Sequence, residues 1–354
     1  MKTGVATLPL HFGKAPAWLF DRMRRLSREI VLAIVKEYGP EEVLRRLSDP
    51  YWFQSLGCVL GFDWHSSGVT TTVCGALKEG LKGLEKDTGI FIAGGKGGTS
   101  RRTPSEIEDF FSRFGINGKA DNFVYASRMS AKVDSTALQD GYQLYQHNFM
   151  FTKSGLWTVI QQGMNTATRR ARRYHWLSEG MGDFVCEPHA AVCCDHKGKP
   201  LNMVARESGE AREAVTVIAG EKPIKVITEL KKIKTLRLPE HHSIFLEDLR
   251  IENLSRVLLT TYENQPKNFE GVLITPGLGP KTLRALSLIS ELVYGKKPSY
   301  KDPVKFSFAH GGKDGHPYPV NRDSYDRSIQ ILRKALQEAR IGRSEKLDAL
   351  KRLF

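Results

Sequence analysis

Apolar residues recur at helical intervals through the first third of the chain. Trp18, Leu19, Met23, Leu26, Ile30, Ile34 and Val35, then Val43 and Leu47, predict amphipathic helices over residues 16–47. An apolar stretch, Leu56 to Gly61, leads into Phe62-Asp63-Trp64-His65-Ser66-Ser67-Gly68. Ser66 or Ser67 can cap the next helix, which carries Val73, Leu77 and Leu81. The other reading has Asp63, His65 and the serine hydroxyls facing a ligand. Further on, Phe149 to Phe151 and Trp157 to Ile160 flank the turn Lys153-Ser154-Gly155 and read as a β-hairpin that ends at Gln161-Gln162-Gly163. Ala190 to Asp195 and Leu201 to Ala205, joined through Lys197-Gly198-Lys199-Pro200, read as a second hairpin. Val215 to Ile218 and Ile224 to Ile227 are β-branched pieces. From His241 the pattern turns helical, through Leu246, Leu249, Leu254, Val257 and Leu258. Residues 296–322 form a polar, irregular excursion, and a last helix begins near Asp323 or Ser324.

Within the helical part, Pro276-Gly277-Leu278-Gly279-Pro280-Lys281-Thr282 separates the apolar run 269–275 from a helix bearing Leu283, Leu286, Ile289 and Leu292. Gly277 and Gly279 allow a tight turn with accessible backbone N–H groups, and the helix start behind them favours an anion. Lys281 adds the charge that a phosphate contact needs, and Thr282 a hydroxyl. The expectation is docking of a nucleic-acid backbone without readout of its sequence.

The chain has 354 residues and a formal net charge of +14, which favours an acidic partner, DNA ahead of RNA. The charge is clustered: Arg169, Arg170, Arg172 and Arg173 stand together, and Lys96, Arg101 and Arg102 frame a glycine-rich loop at 94–102. That loop lacks the spacing of a Walker motif but can wrap a phosphate. Behind it, Thr103-Pro104-Ser105-Glu106 matches a capping box. Five cysteines argue against a secreted disulfide scaffold, and no apolar stretch reaches membrane-spanning length. A cytoplasmic protein is expected, with no membrane partner and no oligomeric state set by the sequence.

Chemistry concentrates between positions 132 and 147, where Lys132, Asp134, Gln139, Asp140, Tyr142, Tyr145 and His147 crowd together. Carboxylates with lysine and histidine suit phosphodiester hydrolysis. Asp134 and Asp140 would hold Mg²⁺ or Mn²⁺, Lys132 would stabilise the transition state, and His147 or His175 would serve as base or acid. A solvated face with one core histidine is the alternative. The set Cys186, His189, Cys193, Cys194 and His196 has zinc-like spacing, but in a strand Cys193 and Cys194 point to opposite faces, so zinc is not expected.

Residues 269–295 resemble the helix-hairpin-helix of endonuclease-III-like DNA glycosylases. That resemblance implies, for bifunctional members, that Lys281 would attack the sugar C1′ as a Schiff-base nucleophile with help from a downstream aspartate. Asp302 stands near the matching distance. Asp323 is the substitute if Pro319-Val320-Asn321 matches the family's Val-Asp helix start with Asn in place of Asp. The same turn in binding-only modules implies a lysine that meets phosphate alone. Over most of its length the chain resembles an uncharacterised prokaryotic family common in thermophiles, domain of unknown function 763. Gly61 to Gly68, Lys132-Val133-Asp134, Gln139-Asp140-Gly141, Gln161 to Asn165 and Ala171 to Trp176 carry that likeness, which implies no activity.

Together these readings predict an α+β protein. A mixed domain over 1–212 would hold a small antiparallel sheet and the polar constellation. A mainly helical domain over 213–354 would contain the helix-hairpin-helix. The expected function is DNA processing or repair by a metal-dependent nuclease. The alternatives are a base-excision glycosylase or lyase using Lys281, and a non-enzymatic nucleic-acid-binding accessory protein.

Overall fold

The structure is a computed structural model that describes residues 15–62, 66–116, 118–233, 251–304, 322–339 and 341–353. The chain is α+β, as its pattern predicts. Helices α1 (Ala17–Tyr38), α2 (Pro40–Ser48), α3 (Pro50–Val59), α4 (Gly68–Leu81) and the single turn α5 (Glu85–Thr88) lead into strand β1 (Ile90–Lys96). A 3₁₀ segment, Gly97–Arg102, joins it to α6 (Thr103–Phe114) and α7 (Ala120–Lys132), and α7 ends in a π-helical turn, Val133–Ala137. Strands β2 (Leu138–Gln139), β3 (Gln143–Thr152), β4 (Trp157–Asn165), β5 (Arg170–Leu177), β6 (Ala191–Cys193) and β7 (Leu201–Asn202) follow. The C-terminal stretch is helical: α8 (Gly209–Ala219), α9 (Pro223–Ile233), α10 (Ile251–Asn264), α11 (Phe269–Ile274), α12 (Pro280–Leu292), α13 (Arg322–Glu338) and α14 (Arg343–Leu353).

The main sheet is antiparallel throughout, in the order β1-β3-β4-β5-β6. Its two faces serve different cores, because successive side chains alternate across a strand. Ile90, Ile92, Met150 and Ile160 pack against α1–α4, α13 and α14. Phe91, Ala93, Phe149, Phe151, Val159 and Trp176 pack against α6, α7 and the helices α8–α12. Residues from both sides of position 212 therefore contribute to each core. The expected hairpin across Lys153-Ser154-Gly155 forms as β3 and β4.

Three local expectations are corrected. Val215–Ile218 and Ile224–Ile227 are helical: Ala211, Val215 and Ile218, then Val226, Leu230 and Ile233, are buried at i, i+4, i+7 spacing, and that periodicity overrides β-branching. Residues 190–205 do not pair with themselves, since β6 joins β5 and β7 joins β2. Thr103-Pro104-Ser105-Glu106 is not a capping box. Thr103 lies inside the helix, and the Glu106 carboxylate accepts from the Gly94 N–H at 2.8 Å and from Lys78 Nζ at 2.6 Å.

Gly94 is where the fold most needs a glycine. Its φ is +89°, and a Cβ there would stand 2.2 Å from the His147 carbonyl oxygen on the neighbouring strand. Gly94→Ala is therefore expected to cost about 3 kcal/mol or more through strain and a backbone clash. The measurement is a lowered denaturant midpoint at unchanged slope.

Candidate functional site

The polar groups of the second core converge on Asp134. This residue sits in the π-helical turn after α7, is completely buried, and faces the sheet. Its Oδ2 accepts from Gln161 Nε2 at 2.6 Å and from Trp176 Nε1 at 2.9 Å, while Oδ1 accepts from His189 Nε2 at 2.5 Å. Gln161 Nε2 also donates to the Ser130 carbonyl at 3.1 Å. Both amide hydrogens of Gln161 thus go to acceptors, which fixes the amide orientation.

That orientation has a consequence one strand away. His147 and Gln161 are direct cross-strand partners, and His147 Nδ1 lies 2.7 Å from Gln161 Oε1. An amide oxygen only accepts, so Nδ1 carries the imidazole proton. His147 Nε2 then holds a lone pair, and it lies 2.8 Å from Ser127 Oγ on α7. The Ser127 hydroxyl donates to it. Burial lowers the His147 pKa below the ordinary histidine value, which keeps the ring neutral. Ser127 and His147 form the floor of an open cleft of about 260 Å³, whose walls include Arg101, Arg128, Thr103 and Tyr145. Arg101 and Arg128 are exposed, and Lys96 Nζ stands 5.9 Å from the centre of the Tyr145 ring. Beyond Asp134, His189 lines a second cavity of about 190 Å³ together with Glu187, Glu207 and Lys301.

Asp140 belongs to a different cluster. It accepts from Arg172 Nη1 at 2.9 Å, Tyr174 Oη at 2.7 Å and the Tyr142 N–H at 3.0 Å. Burial pushes its carboxyl above the usual range, with Arg172 and Tyr174 pulling the other way. Arg172 reaches on to Asp302 at 2.8 Å and to the His196 carbonyl at 3.1 Å. Mg²⁺ or Mn²⁺ would reach Asp134 or Asp140 only by displacing these donors. No three His, Cys, Asp or Glu side chains among the described residues are grouped to hold a metal.

Two of the arginines read as nucleic-acid contacts are corrected here. Arg172 and Arg173 are 1 % and 0 % exposed, Arg172 beneath the loops that carry Asp140, His196 and Asp302 and Arg173 beneath α3. Arg173 donates to Gln54 at 3.1 Å and to His175 Nε2 at 2.8 Å, so His175 has no accessible lone pair for catalysis. Arg169, Lys96, Arg101 and Arg102 are exposed. Asp302 is taken by Arg172, the Gly198 N–H and the Val304 N–H. Asp323 falls in the first turn of α13, where side chains lie outside the described residues, as do Asp63, Trp64 and His65.

The 276–282 turn joins two helices, α11 and α12, and is braced from beneath. Lys132 Nζ donates to the Leu278 carbonyl at 2.5 Å, and Gln139 Nε2 to the Pro280 carbonyl at 2.9 Å. Lys132 is thereby committed to the turn rather than to His147. Pro276, Gly277 and Lys281 are exposed, whereas Thr282 is buried. Gly277 needs its glycine, with φ +82°. Gly279 does not: its φ of −131° suits any residue, and a Cβ would meet open space.

The runs Gln139-Asp140-Gly141, Gln161-Gln162-Gly163 and Ala171 to Trp176, which carry the family likeness, therefore supply the buried polar networks on both faces of the sheet. The chain belongs to the family described as protein of unknown function, DUF763. The family model matches residues 4–320, which takes in the cleft, the relay and the braced turn. No curated protein and no solved structure matches the chain. No helix among the described residues is long and apolar enough to cross a membrane.

Ser127 is the cleft residue, in contact with His147, that the sequence reading did not single out. Its signal was spacing: Ser127, Ser130 and Asp134 stand at i, i+3 and i+7, so small polar side chains share the face of α7 that the sheet buries.

The two buried histidines set an acid limit for this DUF763 protein. His147 is lowered by burial, and His175 is lowered further by burial and the Arg173 guanidinium. Above the ordinary histidine range both rings are neutral in either state. As the pH falls through about 6.5, the unfolded chain takes up protons that the folded chain refuses, so stability falls. The expected slope is at most about 1.4 kcal/mol per pH unit for each histidine. Urea unfolding at pH 7.5 and 5.5 measures it, and His175→Gln should remove about half of the difference.

Proposed function

We propose that this protein grips a nucleic-acid backbone, DNA ahead of RNA, and hydrolyses its phosphodiesters in the cleft above His147. The observation that carries the reading is a neutral imidazole whose lone pair is directed at Ser127 Oγ, both residues lining a cleft shared with two arginines. A base needs that lone pair, and the arginines suit an anionic ester and the charge that builds on its oxygens during attack. The braced 276–282 turn supports the docking half of the reading. It offers exposed Lys281 and Gly277, with Gly279 leaving room where a side chain would block a close backbone approach. His147 is assigned as the general base, Arg101 and Arg128 as charge stabilisers, and Lys96, Arg102, Arg169 and Lys281 as backbone contacts. Asp134 positions His147 through Gln161.

The test uses end-labelled single- and double-stranded DNA and RNA, with Mg²⁺, with Mn²⁺ and with EDTA. Binding should weaken linearly in log affinity against log salt, and Lys281→Ala should reduce the magnitude of that slope by about one. His147→Gln should bind and fail to cut, with cleavage lowered by about 10²-fold or more. Binding that ignores salt, or is absent, overturns the docking half. Salt-dependent binding with every substrate intact overturns hydrolysis and leaves a binding protein.

A further inference from the structure

The same cleft raises the question of which atom gives up its proton to His147. We propose that the Ser127 hydroxyl does, and that Ser127 is a nucleophile forming a transient phosphoester bond with the substrate; this rests on the phosphodiester reading above. A water-activating histidine would have its lone pair open to the solvent of the cleft. Here Nε2 points at Ser127 Oγ at 2.8 Å, and the tautomer that makes Oγ the donor is imposed by Gln161 and Asp134 rather than chosen. Nucleophile, base and orienting group follow in a single hydrogen-bonded line, the arrangement that activates a weak hydroxyl nucleophile. Both Ser127 and His147 line the cleft, so the pair meets the substrate side rather than the core alone. The register supports it: His147 is held between Gly95 on β1 and Gln161 on β4, which fixes its backbone on both sides.

The step balances without any further reagent. His147 Nε2 takes the Oγ proton as the Oγ–P bond forms and the P–O bond to the leaving sugar oxygen breaks. The leaving oxygen receives that proton from Nε2. Water then gives a proton to Nε2, attacks phosphorus and breaks the Oγ–P bond, and the proton returns to Oγ. The products are a free hydroxyl end and a phosphomonoester end. Arg101 and Arg128 flank the cleft where the phosphoryl oxygens gain charge.

The proposal is tested on the full chain in two ways. The native protein is first incubated with a fluorophosphonate, which reacts with an activated serine without needing a nucleic-acid substrate, and digested for mass spectrometry. Ser127 should carry the adduct, and His147→Gln should abolish it. No adduct on Ser127 overturns the proposal. In the second experiment, end-labelled oligonucleotide is quenched in denaturant during turnover, and label should travel with the protein and map to Ser127. Ser127→Ala, checked for folding by its melting curve, should lose cleavage by about 10³-fold or more. Should Ser127→Ala cut within about threefold of the native rate, direct attack by water would replace the covalent route, and the hydrolytic reading would stand. If native protein cuts nothing yet Ser127 is labelled, the nucleophile stands and its phosphodiester substrate is withdrawn.

Discussion

One buried carboxylate organises this molecule. Removing an ionised aspartate from water costs several kcal/mol unless donors replace the solvent. Asp134 receives three, from Gln161 on β4, Trp176 on β5 and His189 in the segment before β6. The end of α7 is thereby tied to the centre of the sheet and to its far edge. Because the carboxylate only accepts, it also dictates the orientation of the Gln161 amide, and through it the tautomer of His147. A requirement of stability thus sets the direction of a proton at the cleft. The π-helical turn that carries Asp134 fits this role, since such turns interrupt an α-helix where a side chain must be aimed rather than merely buried.

The opposite face of the sheet carries its own polar network, and it explains why basic clusters mislead. Gln162 Nε2 donates to the Ser67 carbonyl at 2.8 Å, Gln146 Nε2 to Asn148 Oδ1 at 2.8 Å, and Arg173 reaches Gln54 and His175. The Arg173 guanidinium also lies 4.5 Å from the centre of the Phe53 ring, and burial lowers its pKa to about 10. A strand with one wet face would have turned every other residue of Arg170–Leu177 to solvent. With both faces covered, by helices on one side and by loops over Arg172 on the other, alternation only chooses which buried network receives each residue. The net charge of +14 remains a property of the surface, but Arg172 and Arg173 do not belong to that surface.

Much of the fold was legible because its signals are local. The spacing of Met23, Leu26, Ile30 and Ile34 gave α1, and Phe149–Phe151 with Trp157–Ile160 gave the central hairpin. Val215 and Val226 failed because β-branched residues also suit a buried helical stripe at i, i+4, i+7. The crowding between positions 132 and 147 marked the right region, yet its division was illegible. Asp134 and Asp140 are six residues apart in sequence, but the π-helical turn and β2 send them to separate clusters. Ser127 escaped for a related reason. A serine in a helix is common, and only the pairing of β3 with α7 across the second core identifies what it touches.

α7 links the 276–282 turn to the cleft. Ser127 floors the cleft, and Lys132, five residues on along the same helix, holds the Leu278 carbonyl of the 276–282 turn. Five residues of α-helix rise about 7.5 Å along its axis. Burial lowers the Lys132 pKa, and the Leu278 carbonyl is the acceptor that its half-buried ammonium keeps. Tyr125 on the same helix donates to Glu270 of α11 at 2.6 Å, and Arg284 of α12 to Gln139 at 2.7 Å. The turn is therefore fastened to α7 through α11, through its own backbone and through α12. Motion of the turn relative to Ser127 would have to break several of these bonds at once. Under the proposed docking, a phosphate at the turn would meet a surface held rigidly relative to Arg101, Arg128 and Ser127.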